Sequence, residues 1–150
     1  MRIDVNSIPV VILKFNSGSL GIARSLGRLG VPVYAVHPDA NDHTLASKYC
    51  RKTLIWDIDK QLAADSLKFL EDLGCQFNRT AILISTTDAT TIFVSHNAEK
   101  LKKHYIFPNQ SSELVTSLID KKKIALHFAL NFIYTCVSLL SANLKKQLKL

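Results

Sequence analysis

Apolar residues in this chain come in short runs separated by polar, glycine- and proline-bearing breaks. Val10, Val11, Ile12, Leu13 and Phe15 form one such run, rich in β-branched residues, and predict a buried strand. Asn16, Ser17, Gly18 and Ser19 break it. Leu20, Ile22, Ala23, Leu26 and Leu29 then share one face of a predicted helix, which Gly30 ends with Pro32 just beyond. Residues 31–36 repeat the buried-strand pattern, so residues 10–36 read as a right-handed strand–helix–strand unit. Residues 37–43 are polar and read as a loop, with a helical turn at 47–49 and a third strand at 52–56.

Further along, Leu62, Ala63, Leu67, Leu70 and Leu73 predict a helix over residues 59–73, closed by Gly74. Residues 81–84 are another buried strand, stopped by Ser85, Thr86, Thr87 and Asp88. Asp88 is the expected N-cap of a helix over 89–103, whose basic end suits the helix dipole. Residues 105–107 form a short strand ended by Pro108, and Ser111, Ser112 and Glu113 open a helix running to Ile119, after which Asp120 can cap another. Strands alternating with helices predict an open, mostly parallel α/β sheet, doubly wound, with helices on both faces and a C-terminal helix. The expected division is a Rossmann-like domain at 1–120 and a helical tail at 121–150.

Composition supports this without naming a function. The 150 residues are 47% hydrophobic and 21% charged, enough for a core in one domain and unlike a disordered chain. The net charge is +7 and the pI about 9.4. Basic residues are sparse up to residue 36 and dense from Lys100 onward, so the surplus belongs mainly to the last third. A basic patch without stacking aromatics or a recognised module does not predict a nucleic-acid partner. Cys50, Cys75 and Cys136 are widely spaced, with no Cys-x-x-Cys pair, and read as reduced thiols, two of them buried. Asn78, Arg79 and Thr80 match a glycosylation sequon, but no signal peptide is seen before the first strand, and a cytoplasmic location is expected.

Candidate chemistry lies first at the break after the opening strand. Nucleotide-binding strand–helix units carry Gly-x-Gly-x-x-Gly there, for a tight turn, close ligand approach and close helix packing. Here Asn16, Gly18 and Gly21 occupy the three positions, Asn16 being tolerant of left-handed backbone. Helix N–H groups at this point can hold an anion, while the competing reading is that Gly18 and Gly21 serve helix packing alone. Asp39 falls near the place of the acid that reads a nicotinamide cofactor's ribose, yet His37 and Pro38 precede it and suggest turn chemistry. His96 and His104 read as solvated, and no catalytic nucleophile is assigned.

The run from Gly18 to Val33 resembles the N-terminal domain of ATP-grasp enzymes, most of all the carboxylate–amine ligase branch. Ser47, Tyr49 and Arg51 look like that branch's Ser-x-Tyr-x-Arg segment. Leu83 to Asp88 is similar to its strand ending in hydroxyl residues and an acid, and Asp120-Lys121 to the Asp-Lys that opens its ATP-binding portion. The resemblance covers roughly residues 8–126. It implies a domain that borders the substrate pocket of an enzyme joining an acid to an amine through an acyl phosphate, with ATP and magnesium in the complete enzyme. The implied ligand-side residues are Asn16, Ser17, Gly18, Ser19, Gly21, Ser85, Thr86, Thr87 and Asp88. Lys121 is the implied phosphate contact, with a solvated basic turn through Lys122 and Lys123 as the competing reading.

The sequence departs from that family after residue 126. The family's proline-bearing break is replaced by residues 131–136, and Asp120 is the last acid. Magnesium takes carboxylate ligands, so this chain alone is expected to be inactive, to bind neither ATP nor magnesium tightly, and to need an ATP-grasp remainder as domain or partner chain. Residues 124–144 carry no Asp, Glu, Lys or Arg, but His127, Asn131, Thr135, Ser138, Ser141 and Asn143 dilute them. They read as an amphipathic helix able to self-associate rather than as a membrane span. Two other readings stand beside the ligase: a free-standing nucleotide- or NAD-binding module, and a non-catalytic protein that docks through its C-terminal helix.

Overall fold

A computed structural model describes residues 8–108 and 110–120. The chain divides into two compact units, residues 1–112 and residues 113–150. The first unit holds a five-stranded sheet of order β3-β2-β1-β4-β5, made of β1 (Val10–Leu13), β2 (Val33–His37), β3 (Cys50–Ile55), β4 (Ala81–Ser85) and β5 (Tyr105–Ile106). Every neighbouring pair is parallel. This is the open, Rossmann-like α/β sheet that the alternation of strands and helices predicts.

Alternation along β1 divides the core. Val11 and Leu13 join Leu67, Leu70 and Leu73 of α2 (Ala63–Cys75), Val94 of α3 (Asp88–His96) and Leu101 of α4 (Ala98–Leu101). Val10 and Ile12 pack on the other side with Phe15 and with Ala23 of α1 (Ser17–Arg28). Helices thus cover both faces, and β1, inner on both, is apolar at every position because neither face meets water. The helix α5 (Ser112–Ile119) opens the second unit, starting one residue after Ser111 with Glu113 in its first turn.

Several elements differ from the sequence reading, each for a local reason. Asn16 is extended (φ −139°), and the left-handed residues of this region are Lys14 (φ 54°) and Gly30 (φ 79°). Ser17 to Ser19 already lie in the helix, because the Asn16 side chain accepts the Ser19 N–H and caps it. Leu29 falls beyond α1 and is 67% exposed. The helical turn sits at His43–Ala46, capped by Asp42, and not at 47–49. The strand β3 begins earlier than predicted and leaves Trp56 outside.

Residues 57–60 form a turn before α2, which therefore starts at Ala63 and not at 59. Gly74 lies inside α2 instead of ending it; a Cβ there would come within 2.5 Å of His104 Cβ. Thr87, not Asp88, caps α3, in a reciprocal capping box with Thr90. The predicted helix 89–103 is broken at Asn97, which caps the end of α3: its backbone N–H closes the last i→i−4 bond to Phe93 O, and its side chain donates to the same oxygen. The expectation of two buried cysteines fails for the described pair: Cys50 is half-buried and Cys75 exposed. Cys136, Lys121 and residues 124–144 lie outside the described residues.

Candidate functional site

From β1 the chain winds outward one way to β2 and β3, and β4 and β5 lie on the other side. Ligands of open α/β sheets bind where the winding reverses, at the carboxyl ends of the two central strands. That point lies between β1 and β4, where Leu13 pairs in register with Ser85. The segment after β1 carries Asn16, Ser17, Gly18, Ser19 and Gly21; the segment after β4 carries Thr86, Thr87 and Asp88. Residues some seventy positions apart in sequence are therefore brought together at one crevice.

The two segments are tied directly. Thr86 Oγ1 lies 2.8 Å from both Leu13 O and Lys14 O, so its hydroxyl fastens the start of the β4–α3 loop to the end of β1. The left-handed turn at Lys14 lets the chain leave β1 and cap α1 at Asn16 within two residues.

The candidate residues divide by what their side chains already do. Asn16 Oδ1 accepts the Ser19 N–H at 3.0 Å and the Ser19 hydroxyl at 3.1 Å, and Ser19 is only 1% exposed. Thr87 and Thr90 complete their capping box, and Thr91 Oγ1 donates to Ser85 Oγ at 2.9 Å. Asn16, Ser19, Thr86 and Thr87 thus build the crevice. Facing solvent at it are Ser17, Gly18, Gly21 and Asp88. In the first turn of α1 the N–H groups of Ser17 and Gly18 have no acceptor within the helix. Two helix N-termini at one point favour an anionic ligand group, and the Asp88 carboxylate offers an acceptor for an ammonium.

Gly18 and Gly21 are not placed there for helix packing. A Cβ on Gly21 would meet nothing within 4 Å, and one on Gly18 only Asn16 Oδ1 at 3.3 Å. The glycine that helix packing requires in α1 is Gly27, where a Cβ would sit 2.7 Å from Tyr49 Cβ. Tyr49 belongs to the Ser47–Arg51 segment. That segment lies at the amino end of β3, away from the crevice.

Three groups at the carboxyl rim escape a reading of the sequence alone. Lys14 forms an ion pair with Asp59, from the turn after β3. His37 ends β2, with Nδ1 accepting the Asp39 N–H at 3.0 Å and Nε2 3.6 Å from Asp42 Oδ2. The hydroxyl and N–H of Thr44, and then the neighbouring His37 and His43, hold the Asp42 carboxyl below the usual carboxylate range despite some desolvation. Asp39 accepts the Asn41 N–H at 2.9 Å in an Asx turn, the loop chemistry its Pro-Asp context suggests. The one sequence signal for Lys14 is that it interrupts an otherwise apolar run.

Among the described residues no group of three or more His, Cys, Asp or Glu is arranged to hold a metal ion. Among them, too, no helix is long and apolar enough to cross a membrane.

No protein-family model matches the chain, and no curated protein matches it. Among solved structures, the crystal structure of an L-amino acid ligase from Bacillus licheniformis shares the fold over 77% of this chain, with a TM-score of 0.59 and 14% sequence identity. This chain spans 28% of that protein's length.

Proposed function

We propose that this chain contributes the N-terminal, substrate-side domain of an ATP-dependent carboxylate–amine ligase of the ATP-grasp kind, and that these 150 residues alone do not turn over ATP. The observation that carries the reading is the convergence of the 16–21 and 85–88 segments at the β1/β4 switch point, in a fold shared with an L-amino acid ligase. In this reading the first-turn N–H groups of Ser17 and Gly18 bind a substrate carboxylate, and Asp88 faces its ammonium group. The exposed backbone at Gly18 and Gly21 leaves room for close approach. Lys121 serves as the phosphate contact of the ATP-grasp portion, carried by the same chain or a partner.

The test is a titration of the isotope-labelled chain with L-amino acids and dipeptides, followed by amide NMR, with NAD in a parallel arm. Saturable shifts at Ser17, Gly18, Gly21 and Asp88 with amino acids are expected. Micromolar NAD binding without an amino-acid response would replace the ligase reading with that of a dinucleotide-binding module. Incubation with ATP, magnesium and amino acids is expected to release no ADP, and substantial release would refute inactivity of the chain alone.

A further inference from the structure

The carboxyl end of β2 carries a second concentration of chemistry, which the ligase reading leaves unused. Its last residue, His37, has a side chain only 12% exposed, held against the loop that follows. Both ring nitrogens have neighbours. Nδ1 lies 3.0 Å from the Asp39 backbone nitrogen and 2.9 Å from the Asp39 carbonyl oxygen, and Nε2 lies 3.6 Å from Asp42 Oδ2.

The partners are themselves fixed. Asp42 Oδ1 accepts the N–H of the buried Thr44 at 2.8 Å and its hydroxyl at 2.5 Å, and so caps the helical turn His43–Ala46. Those two bonds lead in holding the Asp42 carboxyl below its usual range, so it stays charged through neutral pH. Asp39 Oδ1 is engaged by the Asn41 N–H at 2.9 Å. On the β3 side, the Trp56 N–H donates to His37 O, and the carboxylates that follow are taken up by lysines, Asp57 by Lys60 and Asp59 by Lys14. The exposed His43 ring lies 3.9 Å from Asp42 Oδ1. Among the described residues Asp42 is the one carboxylate within 4.0 Å of the His37 ring.

This arrangement dictates where the ring's protons go. With Asp42 charged, Nε2 keeps its hydrogen toward the carboxylate, so the neutral ring presents a lone pair at Nδ1 to the Asp39 N–H. A second proton, at Nδ1, turns that acceptor into a donor. The Asp39 N–H then faces another N–H, and the Asp39 carbonyl becomes the partner. From this geometry we propose that His37 is a proton-operated switch of the turn at residues 38–42: the neutral ring holds the Asp39 N–H, and the protonated ring releases it and re-seats the turn on the Asp39 carbonyl. Histidine changes charge between about pH 5 and 8, where such a device would work. The strand β2 is the parallel neighbour of β1, so the turn lies on the same rim as the crevice. The switch needs no ligand and stands apart from the ligase reading.

The experiment follows the His37 ring nitrogens and the amides of Asp39 and Asn41 by NMR in the isotope-labelled full chain, from about pH 5 to 8. At the alkaline end the ring is expected as the Nε2–H tautomer. On acidification both amides are expected to move in one step that shares the midpoint of the His37 ring, while the β1 amides stay in place. His37→Gln should abolish the step, and His43→Gln, at an exposed neighbour, should leave it intact. An Nδ1–H tautomer, an Asp39 amide that ignores the ring, or a step that survives His37→Gln or vanishes in His43→Gln would overturn the switch. Should His37→Gln fail to fold, the tautomer and the shared midpoint in the unmodified chain decide the matter.

Discussion

Gly21 and Gly74 are both helical, yet they answer to different demands. At Gly21 an added Cβ meets open space, so Gly21→Ala removes the helix penalty of glycine and is expected to stabilise the chain by about 0.5–1 kcal/mol. At Gly74 the same change drives a Cβ into His104, and Gly74→Ala is expected to destabilise by about 1–3 kcal/mol. Urea denaturation of the two variants checks both, and opposite signs are the expected outcome. If Gly21→Ala also abolishes amino-acid binding in the more stable protein, the glycine is there for the ligand. The cysteines separate in the same way. Burial pushes the Cys50 thiol above its ordinary range, while Cys75 is exposed, 3.9 Å from His104 Nε2. A brief iodoacetamide pulse at mildly alkaline pH, read by peptide mass spectrometry, should label Cys75 well before Cys50. Because the folded state holds the Cys50 proton more tightly than the unfolded state, this group's contribution to stability is full below the free thiol's pKa. It is lost as pH rises through the raised folded value.

Elements here are set by caps and breaks more than by propensity. Asn16 begins α1, the Thr87–Thr90 box begins α3, and Asn97 divides what the apolar pattern presents as one helix. At Asn16 and Thr87 a short polar side chain stands in for a missing backbone partner. A periodicity count sees the apolar face and not which oxygen takes which N–H, so it misplaces these ends by a few residues. Thr86 is the element-level feature of most consequence, since its hydroxyl joins the β4–α3 loop to the β1 carbonyls. Thr86→Val keeps the shape and removes the donor. A loss of about 1–2 kcal/mol is expected in denaturant unfolding. Larger shifts of Lys14, Phe15 and Ser85 amides than of any in β3 should accompany it. A change confined to stability, with those amides unmoved, would show that the crevice does not depend on this tie.

Across the first unit, strand order ranks the strands by protection. The strand β1 lies between β2 and β4, with Val10 to Leu13 at most 1% exposed, while β3 and β5 are edges. Native-state hydrogen exchange should therefore be slowest at β1, faster in β2 and β4, and fastest at β3 and β5. Exchange in β3 as slow as in β1 would contradict the order of strands. Charge is distributed with the same polarity as the sheet. At the carboxyl rim Lys14 pairs with Asp59 and Asp88 is exposed, and Arg51, Arg79 and Lys103 lie at the amino rim. Summed over the chain this appears only as a net charge of +7, which names neither rim.

Much of the fold was legible in the residues themselves. Two continuous β-branched runs around an apolar helical face require a strand–helix–strand unit, and repeated alternation requires a parallel sheet, because burial and backbone satisfaction leave few other ways to arrange them. The break after β1 and the hydroxyl run after β4 were visible as candidate ligand segments for the same reason: strand ends must turn, and the turning residues are polar. Strand order, and with it the convergence of those two segments, was decided only in three dimensions. Which candidates build the crevice and which face it was also decided there. Asn16, Ser19, Thr86 and Thr87 are committed to caps and ties; Ser17, Gly18, Gly21 and Asp88 are left open. Lys14, Gly27 and Gly74 carry no local pattern that reveals their roles, since each answers to a partner distant in sequence. Local chemistry determines which elements form; the contacts between distant elements determine where they meet.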